Sequence, residues 1–505
     1  MTPVQTLEID GNSLTIADVH DVAVGRRAVS LAPKARARML TTRAVVAGIV
    51  ERNEVVYGVT TGFGKLSNIT IPPEGLAQLQ VNLVRSHAAG VGPELCEREV
   101  RAMMLLRANV IAKGFSGARP DLPELLCAML SAGLWPVVRE QGSVGASGDL
   151  APLAALALTL IGEGELNAPN GARLPAGEAL QLAGLKPVTL GPKEGITLIN
   201  GTQTHTGIAA LAVIDARNIW ETAHAAGAMS LEALLGTPVA FDARIHDARG
   251  QEGQKVSAAR LRSLLADSKI RESHREHDPR VQDAYALRCM PQVHGPVHDA
   301  IVFAEGLIGR ELNAATDNPL VFDNGEMLSG GNFHGQAVAM ALDVLAIAMT
   351  NLATIAERRI DRVVHPDLNE GLPPFLSTTA GISSGFMMAQ VTAASLASEC
   401  KVLSHPASVD TIPTDGSKED VVPMAMGAAW KLRRIIGNLQ HILAIELMCG
   451  AQGIDYRRPL TGGRGVEVAY AATRRHVAPL VEDRVLSPDI IALAGAVARG
   501  EFVIP

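Results

Sequence analysis

The chain has 505 residues, 47% of them hydrophobic, 19% charged and only 3% aromatic, with 48 glycines and a formal net charge of −7. A chain this apolar is not a disordered one, and a negative balance without a long Lys/Arg run leaves no footprint for nucleic acid or an anionic membrane. The length suits roughly two to four domains, or one large helical body with a head, and a core so poor in aromatics must be aliphatic, which favours helix.

In chain order, the opening MTPVQTLEIDG has no basic stretch followed by an apolar one, so no signal peptide is expected. VQTLEID alternates as a strand does, Gly11-Asn12 marks a turn, and SLTIADVHDVA starts a helix. Helical spacing returns from Arg26 to Glu54, ahead of a glycine-rich loop, YGVTTGFGKLSN, at 57–68. Helices are predicted at 74–89, 94–112 and 121–133, and a second glycine-rich loop, QGSVGASGD, spans 141–149. The apolar run from Leu150 to Gly162, about 13 residues, is too short to cross a bilayer. The polar, Gly/Pro-rich passage 162–195 is expected to form a lid or hairpin insertion.

Beyond Asn200, long helices are predicted at 202–235, 296–314, 333–360, 383–404 and 423–453. The stretch from Phe333 to Arg359 alone exceeds roughly 35 Å at 1.5 Å per residue, and several such helices imply a bundle. The uncharged stretch Pro373 to Ser398 reads as protein interior. The expected fold is mainly α, with a mixed, loop-rich head at 1–200 and a helical bundle body at 201–505. Cys96, Cys127, Cys289, Cys400 and Cys449 are odd in number and contain no C-x-x-C, which suits reduced thiols in a cytoplasmic protein.

The segment GSVGASGDLAPL at 142–153 carries the chemistry. Its plain reading is a tight loop ending in a helix, capped by Ser147 or Asp149 with Pro152 in the first turn. Its second reading is covalent. Small residues let the Gly148 nitrogen reach the Ala146 carbonyl. Loss of water from that ring and from Ser147 leaves a methylidene-imidazolone, an electrophile that no ordinary side chain provides. The helix that follows turns its positive end towards this point.

This segment resembles the signature of the aromatic amino-acid ammonia-lyases, which use a 4-methylidene-imidazole-5-one (MIO) group. The resemblance extends in order through YGVTTGFG at 57–64, NLVRSHAAGVG at 82–92, LINGTQ at 198–203, RVQDAYALRC at 280–289, ATDNPL at 315–320, GGNFHG at 330–335, HPASVD at 405–410 and KED at 418–420. It implies an MIO closed from Ala146, Ser147 and Gly148, with no external organic cofactor. It also implies a homotetramer whose active sites gather residues from different subunits.

By the same resemblance Tyr57 is the base that removes the β-proton, which asks its site to lower a pKa near 10. Asn200 hydrogen-bonds the ring or substrate, Gln282, Tyr285 and Arg288 surround the substrate, and Phe333 lines the pocket. Their i, i+3, i+6 spacing brings Gln282, Tyr285 and Arg288 towards one face if the segment is helical, and the Arg288 fork suits a carboxylate. Ser86-His87 resembles the histidine-specific branch, and Glu419 matches the carboxylate facing the imidazole. The implied reaction is elimination of ammonia from L-histidine to give trans-urocanate.

Lys418 and Met290 depart from the family pattern, which expects Gln at both places. A modified histidine or another aryl amino acid therefore stays open, as does a tyrosine or phenylalanine ammonia-lyase or an aminomutase. A non-catalytic helical scaffold is the alternative from another class. YGVTTGFGKL lacks the Ser/Thr and the glycine spacing of a phosphate loop. GISSG at 381–385 lacks the strand a nucleophile elbow needs. No metal site is expected: His274 and His277 lie in a charged stretch, and Pro296 separates His294 from His298.

Overall fold

Leu7–Ile9 pairs in parallel with Val29–Leu31, and the helix Ile16–Ala23 between them starts from a reciprocal cap. The Thr15 hydroxyl accepts the Asp18 N–H while the Asp18 side chain takes the Thr15 N–H. This computed structural model describes residues 5–276 and 278–504, so His277 lies outside the described residues. Nineteen α-helices lie among the described residues and, with a few short 3-10 turns, the chain is 58% helical, as expected for a mainly α protein.

Strands are short and few. Val91–Glu94 pairs with Arg139–Gln141, and Trp135–Pro136, Glu165–Asn167 and Arg173–Pro175 form a three-stranded antiparallel sheet. The last two strands make the hairpin expected within 162–195, and the helices Ala176–Leu182 and Glu194–Ile199 complete that passage.

The chain divides into two compact units. One comprises 1–211, 305–343 and 406–430; the other comprises 212–304, 344–405 and 431–505. Residues 305–343 and 406–430, placed with the helical body by the sequence, thus group with the N-terminal residues. Four unit boundaries fall inside long helices: Gln203–Ala233, Met290–Glu311, Gln336–Val364 and Ala425–Asp455.

In the first unit, Glu97–Ala112 is buried on nearly every side from Glu99 onward. A helix with no solvent face must pair its polar groups internally, and Asn109 does so with the Gly11 N–H and the Leu312 carbonyl.

In the second unit, long helices meet at a buried polar centre. The Arg359 guanidinium forks onto Glu446 at 2.5 and 3.0 Å, the Ser230 hydroxyl donates to the same carboxylate at 2.9 Å, and the Trp220 indole donates to the His294 carbonyl at 2.8 Å. Neither Arg359 nor Glu446 has solvent exposure, so loss of one partner would strand a charge at a cost of about 3–5 kcal/mol. Burial pushes the His224 imidazole down to about 3, so it stays neutral between the Trp220 carbonyl and the Ser257 hydroxyl.

Two expectations change. Pro296 does not break the helical face: Met290–Glu311 is one helix that runs through it and begins before the predicted 296. The stretch Pro373 to Ser398 is not interior in the single chain, where Ile382 is 95% exposed and Met388 and Val391 are also exposed. Gln336–Val364 is long and apolar enough to cross a membrane by length and composition, but 67% of its most apolar window is buried in protein.

Candidate active site

The loop 141–149 runs from the strand Arg139–Gln141 to the helix Ala151–Leu160 and is shaped by contact with a second glycine. Gly148 has φ +81°, and a Cβ placed there would lie 2.1 Å from the Gly201 nitrogen. The two backbones therefore touch, which only glycine permits. They form a parallel bridge, and the Asp149 N–H donates to the Gly201 carbonyl at 2.8 Å.

Neither Ser147 nor Asp149 caps the helix that follows. Leu150 holds the N-cap position with φ 45° and no side-chain cap bond. The buried Asp149 carboxylate instead accepts the Thr204 N–H at 2.7 Å, the His205 N–H at 3.2 Å and the His205 Nδ1 proton at 2.7 Å. Those two backbone donors sit in the first turn of Gln203–Ala233, where a helix leaves N–H groups unpaired. Asp149 thus serves the start of a longer, more distant helix, and locks the loop against the 200–205 segment.

Ser147 is held at both ends. Its carbonyl accepts the Asn200 side-chain N–H at 2.9 Å, and its hydroxyl donates to Glu419 Oε1. The second Glu419 oxygen accepts the Thr414 hydroxyl. Asn200 Oδ1 is buried and has no hydrogen-bond partner among the described residues.

Two spaces open on Ser147. One, about 600 Å³, is lined by Tyr57, Ala146, Ser147, Phe333, Lys418 and Glu419. The other, about 620 Å³, is lined by Tyr57, His87, Ser147, Asn200, Thr414 and Glu419, with Leu66, Ile69, Ile71 and Leu79 among its apolar walls. His87 ends the helix Leu76–His87 and donates from Nδ1 to the Leu83 carbonyl at 2.8 Å, which leaves Nε2 as an acceptor.

The Tyr57 hydroxyl accepts a long hydrogen bond from the Gly64 N–H at 3.5 Å. Burial pushes its pKa up from the ordinary 10.0, the Gly64 amide opposes this, and the Asp415 and Glu419 carboxylates add to the rise. The lowering that a base would need is therefore not met within one chain, first because burial disfavours the phenolate and then because the charges close to it are negative.

The structure brings Tyr57, His87, Ala146, Ser147, Gly148, Asn200, Phe333 and Glu419 together in the first unit. Gln282, Tyr285 and Arg288 belong to the second unit and line neither space. Their segment is not helical throughout: Tyr285–Arg288 forms a single turn that Gln282 precedes. The Arg288 guanidinium lies 4.7 Å above the Tyr285 ring, and Tyr285 is 71% exposed.

The two departures from the family pattern differ in kind. Met290 is fully buried, with its sulfur packed against Gly227, so it is a core residue. Lys418 lines the site beside Glu419. The roles of Thr414, Gly201 and the Asp149–His205 pair escaped the sequence reading: Gly201 and Asp149 sit inside family motifs, but the contacts that define what they do cross between segments.

Ala146, Ser147 and Gly148 fit the ring the sequence suggests. Ala146 is buried, Gly148 is pressed by Gly201, and the carbonyl and hydroxyl of Ser147 each have a dedicated partner.

Comparison with known proteins agrees with this arrangement. Residues 14–475 match the family model described as "Aromatic amino acid lyase". The chain is 54% identical to a histidine ammonia-lyase of Anaeromyxobacter sp. (strain K), over 98% of this chain and 99% of that one. Among solved structures it is similar to histidine ammonia-lyase from Trypanosoma cruzi, with a TM-score of 0.90 at 41% identity, covering 99% of this chain and 96% of that one. It is also similar to the tyrosine aminomutase of Streptomyces globisporus, with a TM-score of 0.93 at 38% identity, covering 99% and 98%.

Proposed function

The chain belongs to the aromatic amino acid lyase family, and from that premise we propose that it eliminates ammonia from L-histidine to give trans-urocanate, using an MIO group closed from Ala146, Ser147 and Gly148. The observation that carries this reading is Ser147, fixed between Asn200 and Glu419 at a cavity that His87 also lines. Once closed, the group supplies an electrophile that makes the substrate amine a better leaving group.

The chain's own residues do the rest. Asn200 donates to the Ser147 carbonyl oxygen and favours negative charge there. Departure of the Ser147 hydroxyl frees Glu419 Oε1, which then accepts an imidazole N–H, while the Thr414 hydroxyl keeps the other oxygen in place. His87 Nε2 accepts the second ring N–H when the imidazole is protonated. Tyr57 takes the β-proton, and because its pKa is raised in the lone chain, a cation must approach it in the working site.

Arg288, with Tyr285 and Gln282, supplies that need from a neighbouring copy in a cytoplasmic homotetramer, and Arg288 binds the substrate carboxylate with its planar fork. The support is exposure: Tyr285 and the uncharged surface around Ile382 and Met388 are left bare in one chain, as surfaces that meet another chain are.

A tyrosine or phenylalanine ammonia-lyase, or an aminomutase, is the second reading, favoured by the aliphatic wall of Leu66, Ile69, Ile71 and Leu79. Side-by-side assay of L-histidine, L-tyrosine, L-phenylalanine and methylated histidines decides between them. The highest kcat/KM is expected for L-histidine with urocanate as product; a higher value for tyrosine or phenylalanine overturns the assignment.

A further inference from the structure

Behind the contact between Gly148 and Gly201 stands a fully buried arginine. Arg107, on the helix Glu97–Ala112, donates from Nη1 to the Thr197 carbonyl at 2.7 Å and to the Asn200 carbonyl at 2.9 Å, and from Nη2 to Gln203 Oε1. Gln203 in turn donates to the Thr316 hydroxyl at 2.7 Å. A Cβ at Gly201 would lie 3.0 Å from Arg107 Nη2, 2.6 Å from Gln203 Oε1 and 2.8 Å from Thr316 Oγ1, so Gly201 has no room to retreat.

Burial pushes the Arg107 pKa down to about 10, so the group is still a cation at neutral pH. Its position suits that charge, because the carbonyls at the end of Glu194–Ile199 form the negative end of a helix. One rigid fork fixes two carbonyls and a side chain on both sides of Asn200, a task the single ammonium of lysine does not match.

We propose that Arg107 is a positioning residue for maturation of the site: it backs the Asn200–Gly201 segment so that Gly201 holds Gly148 against Ala146 while Asn200 holds the Ser147 carbonyl. The inference rests on the MIO reading above. In that maturation the Gly148 nitrogen bonds to the Ala146 carbonyl carbon. The carbonyl oxygen leaves as water with the protons of the Gly148 and Ser147 nitrogens, leaving a C=N bond from Ala146 to Ser147. A second water takes the Ser147 hydroxyl and its Cα proton, leaving the Cα=Cβ double bond. No oxidant is needed. Because Arg107 touches none of the reacting atoms, its effect falls on the rate of closure.

The test follows maturation by intact mass as loss of two waters, after cell-free synthesis of the full chain, its Arg107→Lys variant and an Arg101→Lys control. Arg101 is an equally buried arginine on the same helix, but it holds the carbonyls of Val22 and Leu130, away from the loop. Loss of a charge-assisted fork should slow dehydration at least about tenfold in Arg107→Lys relative to Arg101→Lys. Equal rates in the two variants overturn the role of Arg107. If Arg107→Lys does not fold, Gln203→Leu takes its place, since it removes the Nη2 acceptor and keeps the carbonyl contacts; a rate equal to the control's overturns the proposal in the same way. A parent chain that never loses two waters refutes the MIO reading itself, which is a separate outcome.

Discussion

The side-chain amide of Asn200 donates to the carbonyl of Ser147 at 2.9 Å, one of several bonds that tie the loop 141–149 to the 200–205 segment. It leaves Ser147 with its hydroxyl on Glu419 and its carbonyl on Asn200, so the residue cannot turn without breaking a buried contact.

Ser147→Ala removes the hydroxyl that must leave. The variant is expected to fold, to keep the full mass of its Ala146–Gly148 peptide, and to lose at least about a thousandfold in histidine turnover, read as urocanate absorbance. Full activity in this variant overturns the MIO mechanism.

His87→Phe removes the acceptor that the Leu83 carbonyl orients. A site built to hydrogen-bond a ring N–H loses heavily when one acceptor is replaced by an apolar group. The kcat/KM for L-histidine should therefore fall by about a hundredfold or more, with tyrosine or phenylalanine gaining relative to it. Unchanged histidine turnover removes the main support for the substrate assignment.

The phenol of Tyr57 works as a base only when ionised, and burial with the Asp415 and Glu419 carboxylates raises its pKa. Activity limited by that ionisation climbs as pH rises. Asp415→Asn removes one of the negative charges, so the rising limb of the pH profile of kcat/KM should move to lower pH. A shift to higher pH contradicts the electrostatic account.

Away from the site, Glu232 is buried and its carboxyl is pushed up to about 7, chiefly by desolvation, although it accepts the Gly463 N–H at 3.0 and 3.1 Å. Below 4.5 it is protonated in both folded and unfolded chains and costs nothing. Between 4.5 and about 7 the unfolded chain releases a proton that the fold retains, so stability falls as pH rises. The loss is complete above about 7 and amounts to about 3 kcal/mol. Urea titrations across this range should show that slope in the parent and a flatter one in Glu232→Gln.

The long helices were legible because apolar spacing repeats over many turns, and a repeat survives local errors. Their ends were less so: Pro296 looks like a boundary, yet Met290–Glu311 runs through it. The segment 280–289 fails as a continuous helix for a tertiary reason. Asp283 accepts the Thr237 N–H at 2.7 Å and Arg280 pairs with Asp278 at 2.9 Å, which keeps the chain before Tyr285 out of a helix. Tyr57, His87, Asn200, Phe333 and Glu419 were legible through the family motifs they sit in. Thr414 and Arg107 were not: Thr414 stands outside the family motifs although its partner Glu419 is close by, and Arg107 acts on Asn200, 93 residues away. The raised pKa of Tyr57 was not legible either, since it comes first from burial and then from Asp415 and Glu419, which are remote in sequence.

The contact between Gly148 and Gly201 also sets a clock. Asn200 stands 53 residues beyond Ser147, so a nascent chain that has displayed the loop 141–149 still lacks the segment that compresses it. During translation the loop is ordinary peptide, inert towards the thiols and amines of the cell. With the MIO closing as proposed, its reactivity would begin only when enough of the chain has emerged and folded, so synthesis and arming of the enzyme would be separate events in time.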